Sequence, residues 1–169
     1  MFRMLWLVML LLLSGCARDH DIPPARLEYI DVSKKNKNFY TIKFSSDADL
    51  LSVFKPEDSP VGGLLRCSLS SDDAANENGT ERYVASGLIY AVKSQSRSDT
   101  FVYSSSVMFS ESINDGRTYR PLEVRELREI LNARQSVSCI YRFTAYGFKP
   151  YYSGLLSIPV RDILRELDR

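Results

Sequence analysis

The residue types that could carry chemistry are few in this chain of 169 residues. It has three cysteines, Cys16, Cys67 and Cys139, and one histidine, His20. The cysteines form no CxxC pair, so the sequence shows no zinc-binding pattern. A Gly-x-Ser-x-Gly nucleophile elbow and a glycine-rich phosphate loop are also absent from the sequence. The sequence therefore predicts no metal site, no cofactor and no enzyme activity.

Two catalytic arrangements depend on three-dimensional separation and stay open at this stage. A serine could meet a lysine as nucleophile and base, or two carboxylates could stand at the separation that glycoside hydrolysis needs. His20 is a poor candidate base, because it lies four residues after Cys16 in a segment rich in charge and proline.

Cys16 stands just after an apolar run near the start of the chain. Arg3 precedes this run, residues 4–13, which is too short to cross a hydrocarbon core that needs about 20 apolar residues. The motif Leu13-Ser14-Gly15-Cys16 resembles the lipobox of bacterial lipoproteins. The resemblance implies that diacylglycerol is attached to the Cys16 thiol, that residues 1–15 are removed as a signal peptide, and that the new amine is acylated. The alternative is an ordinary signal peptide and a soluble secreted protein.

The residue after the cysteine bears on which membrane holds the protein. In lipoproteins of Gram-negative bacteria, an aspartate there commonly retains the protein in the inner membrane. Ala17 therefore implies, by the same resemblance, a lipid anchor in the outer membrane on its periplasmic face. Residues 16–25 would be the lipidated cysteine and an extended tether, stiffened by Pro23-Pro24, and residues 26–169 a single domain.

The charge balance argues against nucleic acid as a partner. The chain has 22 Lys and Arg against 21 Asp and Glu, and loss of residues 1–15 removes Arg3, which leaves 21 of each. A nucleic-acid-binding domain usually carries a basic excess or patch. The sequence predicts instead a surface of mixed sign.

Cys67 and Cys139 are the two cysteines that remain if Cys16 is lipidated. An oxidising compartment favours a disulfide between them. Both lie in segments where apolar and polar residues alternate, and both fall on the apolar face, so their thiols should point into a core. Closing so long a loop would stabilise the fold by roughly 4 kcal/mol. Two buried free thiols are the alternative.

The pattern of the remaining chain predicts an antiparallel β-sandwich with one or two short helices. Many short alternating runs are separated by turn residues, and two amphipathic helices are predicted to begin at Pro121 and Pro159. The separation of Cys67 and Cys139 resembles that in immunoglobulin-like domains. That likeness is incomplete, because the only tryptophan, Trp6, lies in the signal peptide.

The most distinctive stretch of the domain is an aromatic turn at residues 146–154. Aromatic side chains around glycine and proline give rigid contact area, and the tyrosines add a polar tip, which suits protein recognition. We therefore take Tyr146, Phe148, Tyr151 and Tyr152 as candidate partner-binding residues. Neighbouring strand residues point opposite ways, so Tyr151 and Tyr152 cannot both be buried in a one-sided sheet. The alternative is that half of these side chains complete the core.

A second resemblance spans most of the chain after Cys16. The motifs are Arg-Cys-Ser at 66–68, Ser-Cys-Ile-Tyr at 138–141, Lys-Pro-Tyr-Tyr-Ser at 149–153, Ile-Pro at 158–159 and Asp-Ile-Leu-Arg-Glu at 162–166. This pattern resembles small enterobacterial periplasmic lipoproteins proposed as immunity proteins of type VI secretion effectors. The family implies a β-rich domain that binds a cognate toxin in the periplasm and blocks it. Contact residues vary within such families, so none is carried over.

Other function classes stay open beside the immunity protein. A structural outer-membrane lipoprotein that docks an envelope or secretion complex would have the same anchor and the same neutral, non-catalytic domain. An envelope hydrolase would need a serine or carboxylate site that the sequence does not show. Each of the two binding classes predicts one protein partner, either a toxin effector or an envelope component.

Overall fold

The computed structural model describes residues 17–70, 81–92, 100–114 and 116–169. The predicted signal peptide, residues 1–15, and the predicted lipidation site Cys16 lie outside the described residues. The strands are β1 (Leu27–Lys34), β2 (Phe39–Ser46), β3 (Pro60–Ser68), β4 (Tyr83–Ala91), β5 (Phe101–Ile113), β6 (Thr118–Pro121), β7 (Ser136–Ala145), β8 (Tyr151–Tyr152) and β9 (Leu156–Pro159). The helices are α1 (Val124–Asn132) and α2 (Val160–Leu167), and Pro56–Asp58 forms a 3-10 turn before β3.

The nine strands of the described residues belong to one antiparallel sheet. The strand order is β1-β2-β5-β4-β3-β7-β8, with β6 beside β5 and β9 beside β7. The prediction of a mainly β, antiparallel domain with two short helices is confirmed. The finer prediction of a two-layer sandwich is not confirmed, because hydrogen bonds join every described strand into this one sheet.

The sheet curls so that the first strand in the sequence lies beside the last one. β1 contacts β9, and α2 packs against both strands. Just before β1, the carbonyl of Ala25 accepts a hydrogen bond of 2.8 Å from the N–H of Gly154. Val160, Ile163 and Leu167 line one side of α2 and are buried, which is the spacing of an apolar helical stripe. The curled sheet and this helix therefore enclose one core.

Both helices begin later than the sequence pattern predicts. Pro121 and Pro159 are the last residues of β6 and β9, where each is paired with a neighbouring strand. Helix α1 begins after Glu123, whose backbone N–H donates to the Glu126 carboxylate in a capping box. Among the described residues, neither helix is long and apolar enough to cross a membrane.

Tyrosines make up much of the core. The hydroxyl of Tyr103 donates to the Asp49 carboxylate (2.8 Å) and accepts from the N–H of Leu50 (2.9 Å). The hydroxyl of Tyr141 is buried without a hydrogen-bond partner among the described residues, and a Cβ at Gly63 would collide with it. Burial raises the pKa of both phenols, so both remain protonated at neutral pH.

Cys67 and Cys139 face each other directly across β3 and β7. Their Cα atoms are 3.9 Å apart and their sulfurs 2.03 Å apart, and both residues are fully buried. This distance fits the disulfide that the sequence predicts. The bridge joins neighbouring strands of one sheet, whereas the bridge of an immunoglobulin domain joins two sheets. The likeness to that fold therefore finds no support in the position of the bridge.

Candidate functional site

The structure gives different environments to the four aromatic residues predicted to bind a partner. Tyr151 is buried in the core, Phe148 and Tyr152 are half-buried, and Tyr146 is 77% exposed. Tyr151 and Tyr152 differ in burial, as the alternation of a strand predicts. Tyr146 is thus the member of this set that offers most of its ring to solvent.

The N-terminal segment, residues 17–25, lies along this aromatic turn. The N–H of Arg18 donates to the carbonyl of Gly147, and the N–H of Lys149 donates to the carbonyl of Arg18, both at 2.8 Å. At the other end of the segment, the N–H of Ala25 donates to the hydroxyl of Tyr151 at 2.7 Å. The stretch predicted to be a tether is therefore bonded to the domain near both of its ends.

Side chains reinforce this docking. The guanidinium carbon of Arg18 lies 4.5 Å from the centre of the Phe148 ring, a cation–π contact. The Nζ of Lys149 is 2.7 Å from a carboxylate oxygen of Asp19. The N-terminal segment thus covers part of the surface that the sequence assigns to a partner.

His20 packs between aromatic rings at the same place. Its ring centre is 5.7 Å from that of Phe54 and 5.8 Å from that of Tyr151. Its Nε2 lies 3.2 Å from the carbonyl of Pro150, which can only accept, so Nε2 carries the proton. Its Nδ1 is buried without a partner among the described residues. His20 therefore helps to attach the segment to the domain.

A second candidate surface lies on the outer face of the sheet. Leu88 and Tyr90 project outward from β4 and are 58% and 57% exposed. Leu64 lies directly opposite Leu88 on β3, and Ser104 lies opposite Tyr90 on β5. A serine side chain is too short to cover a tyrosine ring, so the apolar surface of β4 stays open to solvent.

Three cations border these residues. Arg142 lies opposite Leu64 on β7, Arg66 follows two residues later on the same face of β3, and Lys43 lies opposite Ser104 on β2. Within the described residues, none of the three forms an ion pair. We call this set the outer patch: Lys43, Leu64, Arg66, Leu88, Tyr90 and Arg142.

Lys43 faces an acidic residue, because Asp31 of β1 lies directly opposite it. The outward positions of the described residues in β2, β3, β4, β5 and β7 carry no aspartate or glutamate. An apolar centre bordered by Arg66 and Arg142, which face no carboxylate across the described strands, suits the docking of a surface that is partly apolar and acidic.

A dense group of charged side chains elsewhere has a structural role. The Glu111 carboxylate accepts hydrogen bonds from Arg120 (2.6 Å) and Arg82 (3.0 Å), and Arg120 also binds Glu126 at the start of α1. The hydrogen bond from Arg120, and to a smaller extent that from Arg82, lowers the pKa of Glu111, so this carboxylate stays ionised at neutral pH. The group therefore joins β5, β6, α1 and the residue that precedes β4. Among the residues that the structure describes, no cluster of three His, Cys, Asp or Glu could hold a metal ion.

No protein-family model matches this chain, and neither a curated protein nor a solved structure matches it. The candidate surfaces are the outer patch and the docked aromatic turn.

Proposed function

We propose that this chain is a lipid-anchored periplasmic protein that binds a cognate secreted toxin through its outer patch and neutralises it. The outer patch is the observation that carries the proposal. It combines the exposed side chains of Leu88 and Tyr90 with the half-buried side chains of Arg66 and Arg142 on one face of a sheet. Tyrosine and arginine are enriched among the residues that dominate protein–protein binding energy.

The chemistry of the patch favours a protein partner with an acidic surface. Arg66 and Arg142 have no ion-pair partner and no opposing carboxylate within the described chain, so an acidic partner would supply their counter-charge and would be attracted over a distance. The centre of the patch is apolar, which suits a protein interface better than a phosphate backbone. Because strands present these side chains at fixed spacing, binding requires little further ordering.

Three features support localisation on the periplasmic face of the outer membrane. The lipobox motif ending at Cys16 supports a lipid anchor, and Ala17 favours the outer membrane by the family rule. The bonding distance between Cys67 and Cys139 fits an oxidising compartment. The short motifs shared with immunity lipoproteins support a toxin as the partner. A stoichiometric inhibitor of this kind needs affinity and no catalysis.

Capture of the partner tests the proposal. The full chain with a C-terminal tag is expressed in a bacterium that also produces the secreted effectors, and proteins bound in stoichiometric amounts are identified by mass spectrometry. We expect one secreted effector, together with survival of sensitive cells that express this chain when they meet that effector. Capture of an envelope-spanning component with no protection would overturn the proposal and favour a structural lipoprotein that docks an envelope or secretion complex.

A further inference from the structure

The docked N-terminal segment determines where an anchor on Cys16 would hold the domain. Cys16 lies two residues before Arg18, whose backbone is bonded to Gly147 and Lys149. Consecutive Cα atoms are 3.8 Å apart, so the two intervening peptide links span no more than about 7 Å. An acylated Cys16 would therefore leave almost no slack between the lipid and this end of the domain.

Two exposed side chains with apolar bodies stand beside that attachment point. Tyr146, at the end of β7, is 77% exposed, and Val61, at the start of β3, is 64% exposed. The N–H of Tyr146 donates to the carbonyl of Ser59 at 3.2 Å, so the two turns are neighbours. Their outward surfaces thus lie where the chain leaves the domain toward Cys16.

The charges at this end are balanced. Arg18, Lys55 and Lys149 supply positive charge, and the neighbouring acidic residues are Asp19, Glu57 and Asp58. Lys149 pairs with Asp19 at 2.7 Å. A surface with both signs suits zwitterionic lipid headgroups and gives no strong preference for anionic lipid.

We infer that this end of the domain, which we call the membrane end (Arg18, Val61 and Tyr146), rests on the lipid surface with the Tyr146 ring in the interfacial layer. The inference rests on the proposed lipid anchor at Cys16. Tyrosine is enriched at membrane–water interfaces because its ring is apolar and its hydroxyl reaches water. The domain is then held in one orientation and does not swing on a flexible tether.

This orientation places the outer patch on the side wall of the domain. β3 runs away from the membrane end, and its patch residues Leu64 and Arg66 follow Val61 by three and five positions. At about 3.3 Å per strand residue, they stand roughly 10 to 17 Å farther along the strand. A partner in the periplasm can therefore reach Leu64 and Arg66, whereas Tyr90, by the register of β3 with β4, stands level with Gly62 near the membrane end.

The sequence allows a clean optical test. The only tryptophan, Trp6, is removed with the signal peptide, so Tyr146→Trp would carry a single reporter after processing. Tyr119→Trp is the matched control, because Tyr119 is also exposed and β6 pairs with the far end of β5, beside Ser112. Each full-length variant is purified from membranes and reconstituted in vesicles of phosphatidylethanolamine with a minor share of phosphatidylglycerol.

Quenching by spin labels on the lipid headgroups and by aqueous iodide gives the depth of each reporter. We expect lipid labels to quench Tyr146→Trp several-fold more than Tyr119→Trp, and iodide to show the reverse order. Equal quenching of the two variants would overturn the inferred orientation. Mass spectrometry of Cys16 distinguishes failure of the proposed lipid anchor from failure of the inferred orientation. An unacylated cysteine removes both the anchor and the orientation, whereas an acylated protein with Tyr146→Trp open to iodide removes the orientation alone.

Discussion

The hydroxyl of Tyr151 accepts a hydrogen bond of 2.7 Å from the backbone N–H of Ala25 and lies 3.4 Å from the carbonyl of Pro23, to which it donates. Tyr151 and Ala25 are both buried. One side chain of β8 thus holds the backbone that enters β1, although β1 and β8 lie at opposite ends of the strand order. A residue that the sequence assigns to partner binding is used to close the fold.

Tyr151→Phe is expected to destabilise the domain by about 1–3 kcal/mol. The substitution keeps the ring and leaves the N–H of Ala25 buried without an acceptor, which costs the desolvation of that group. Urea denaturation gives the free energy of unfolding. Tyr90→Phe is the control on an exposed tyrosine and should change stability by less than about 0.5 kcal/mol. Equal effects of the two substitutions would contradict the role of the buried hydroxyl.

Tyr141→Phe should have the opposite outcome from Tyr151→Phe, although both tyrosines are fully buried. The hydroxyl of Tyr141 has no hydrogen-bond partner among the described residues. Its removal therefore leaves no donor or acceptor without a partner, and it eliminates the cost of burying an unpaired polar group. We expect unchanged or higher stability in the same denaturation experiment. A loss as large as that of Tyr151→Phe would show that a partner satisfies the Tyr141 hydroxyl.

The strands could be predicted from local pattern, and their arrangement could not. Alternation placed Cys67 and Cys139 on apolar faces, and the structure sets them opposite each other. The choice between one curled sheet and two layers depends on which strands pair, and β3 pairs with β7 across a sequence separation of 72 residues at the cysteines. Local periodicity carries no information about such pairing.

The docking of the N-terminal segment and the outer patch escaped the sequence for related reasons. The N-terminal segment docks largely through backbone groups of Arg18 and Ala25, which leave no side-chain pattern, while Pro23-Pro24 is typical of a tether. The outer patch joins Leu88 to Arg142 only through the pairing of β4 with β3 and of β3 with β7. A leucine and an arginine that are far apart in sequence give no signal of a shared surface until the strand register is known.

Removal of the bridge by the double substitution Cys67→Ala and Cys139→Ala should lower stability by about 4 kcal/mol. The bond closes a loop of 72 residues, and the chain-entropy relation gives that magnitude for the unfolded state. Urea denaturation of the double variant and of the natural protein with and without reductant measures the loss. Thiol labelling of the unfolded, unreduced periplasmic protein should find neither of the two cysteines free. Two labels would show that the bond does not form.

Acidification should unfold the domain partly through Glu111. Hydrogen bonds from Arg120 and Arg82 hold its pKa in the folded state below the ordinary value. The unfolded chain therefore takes up the proton first as the pH falls, so this stabilisation is present above the ordinary glutamate pKa of about 4.3 and is lost as the pH drops through the folded-state value.

Glu111→Gln removes this titration and should flatten the fall of stability below about pH 4.3, where the ordinary glutamate protonates. Denaturation midpoints measured across acidic pH for Glu111→Gln and for the natural protein give the two slopes. Glu129→Gln is the control, since its contact with Arg125 at 3.9 Å is long and exposed. An unchanged slope in Glu111→Gln would show that the two arginines do not stabilise its charge.

Leu88→Asp should weaken partner binding through the outer patch while leaving the fold intact. The substitution places a carboxylate in the apolar centre of the patch, where it must be desolvated on binding, and it neutralises the border of Arg66 and Arg142 that attracts an acidic partner. The affinity for the captured effector should fall by roughly 100-fold, about 3 kcal/mol. Since Leu88 is 58% exposed, stability should change by less than about 0.5 kcal/mol.

The matched control for Leu88→Asp is Leu51→Asp, which makes the same chemical change at a leucine that is 45% exposed in the turn after β2, outside the outer patch. Calorimetric titration of both variants with the effector separates a loss at the patch from a general effect of added negative charge. We expect Leu51→Asp to bind as the natural protein does and to protect sensitive cells, and Leu88→Asp to do neither. Full affinity in Leu88→Asp would place the toxin interface elsewhere on the molecule, because an interface centred on this leucine could not accept a buried carboxylate without a measurable loss.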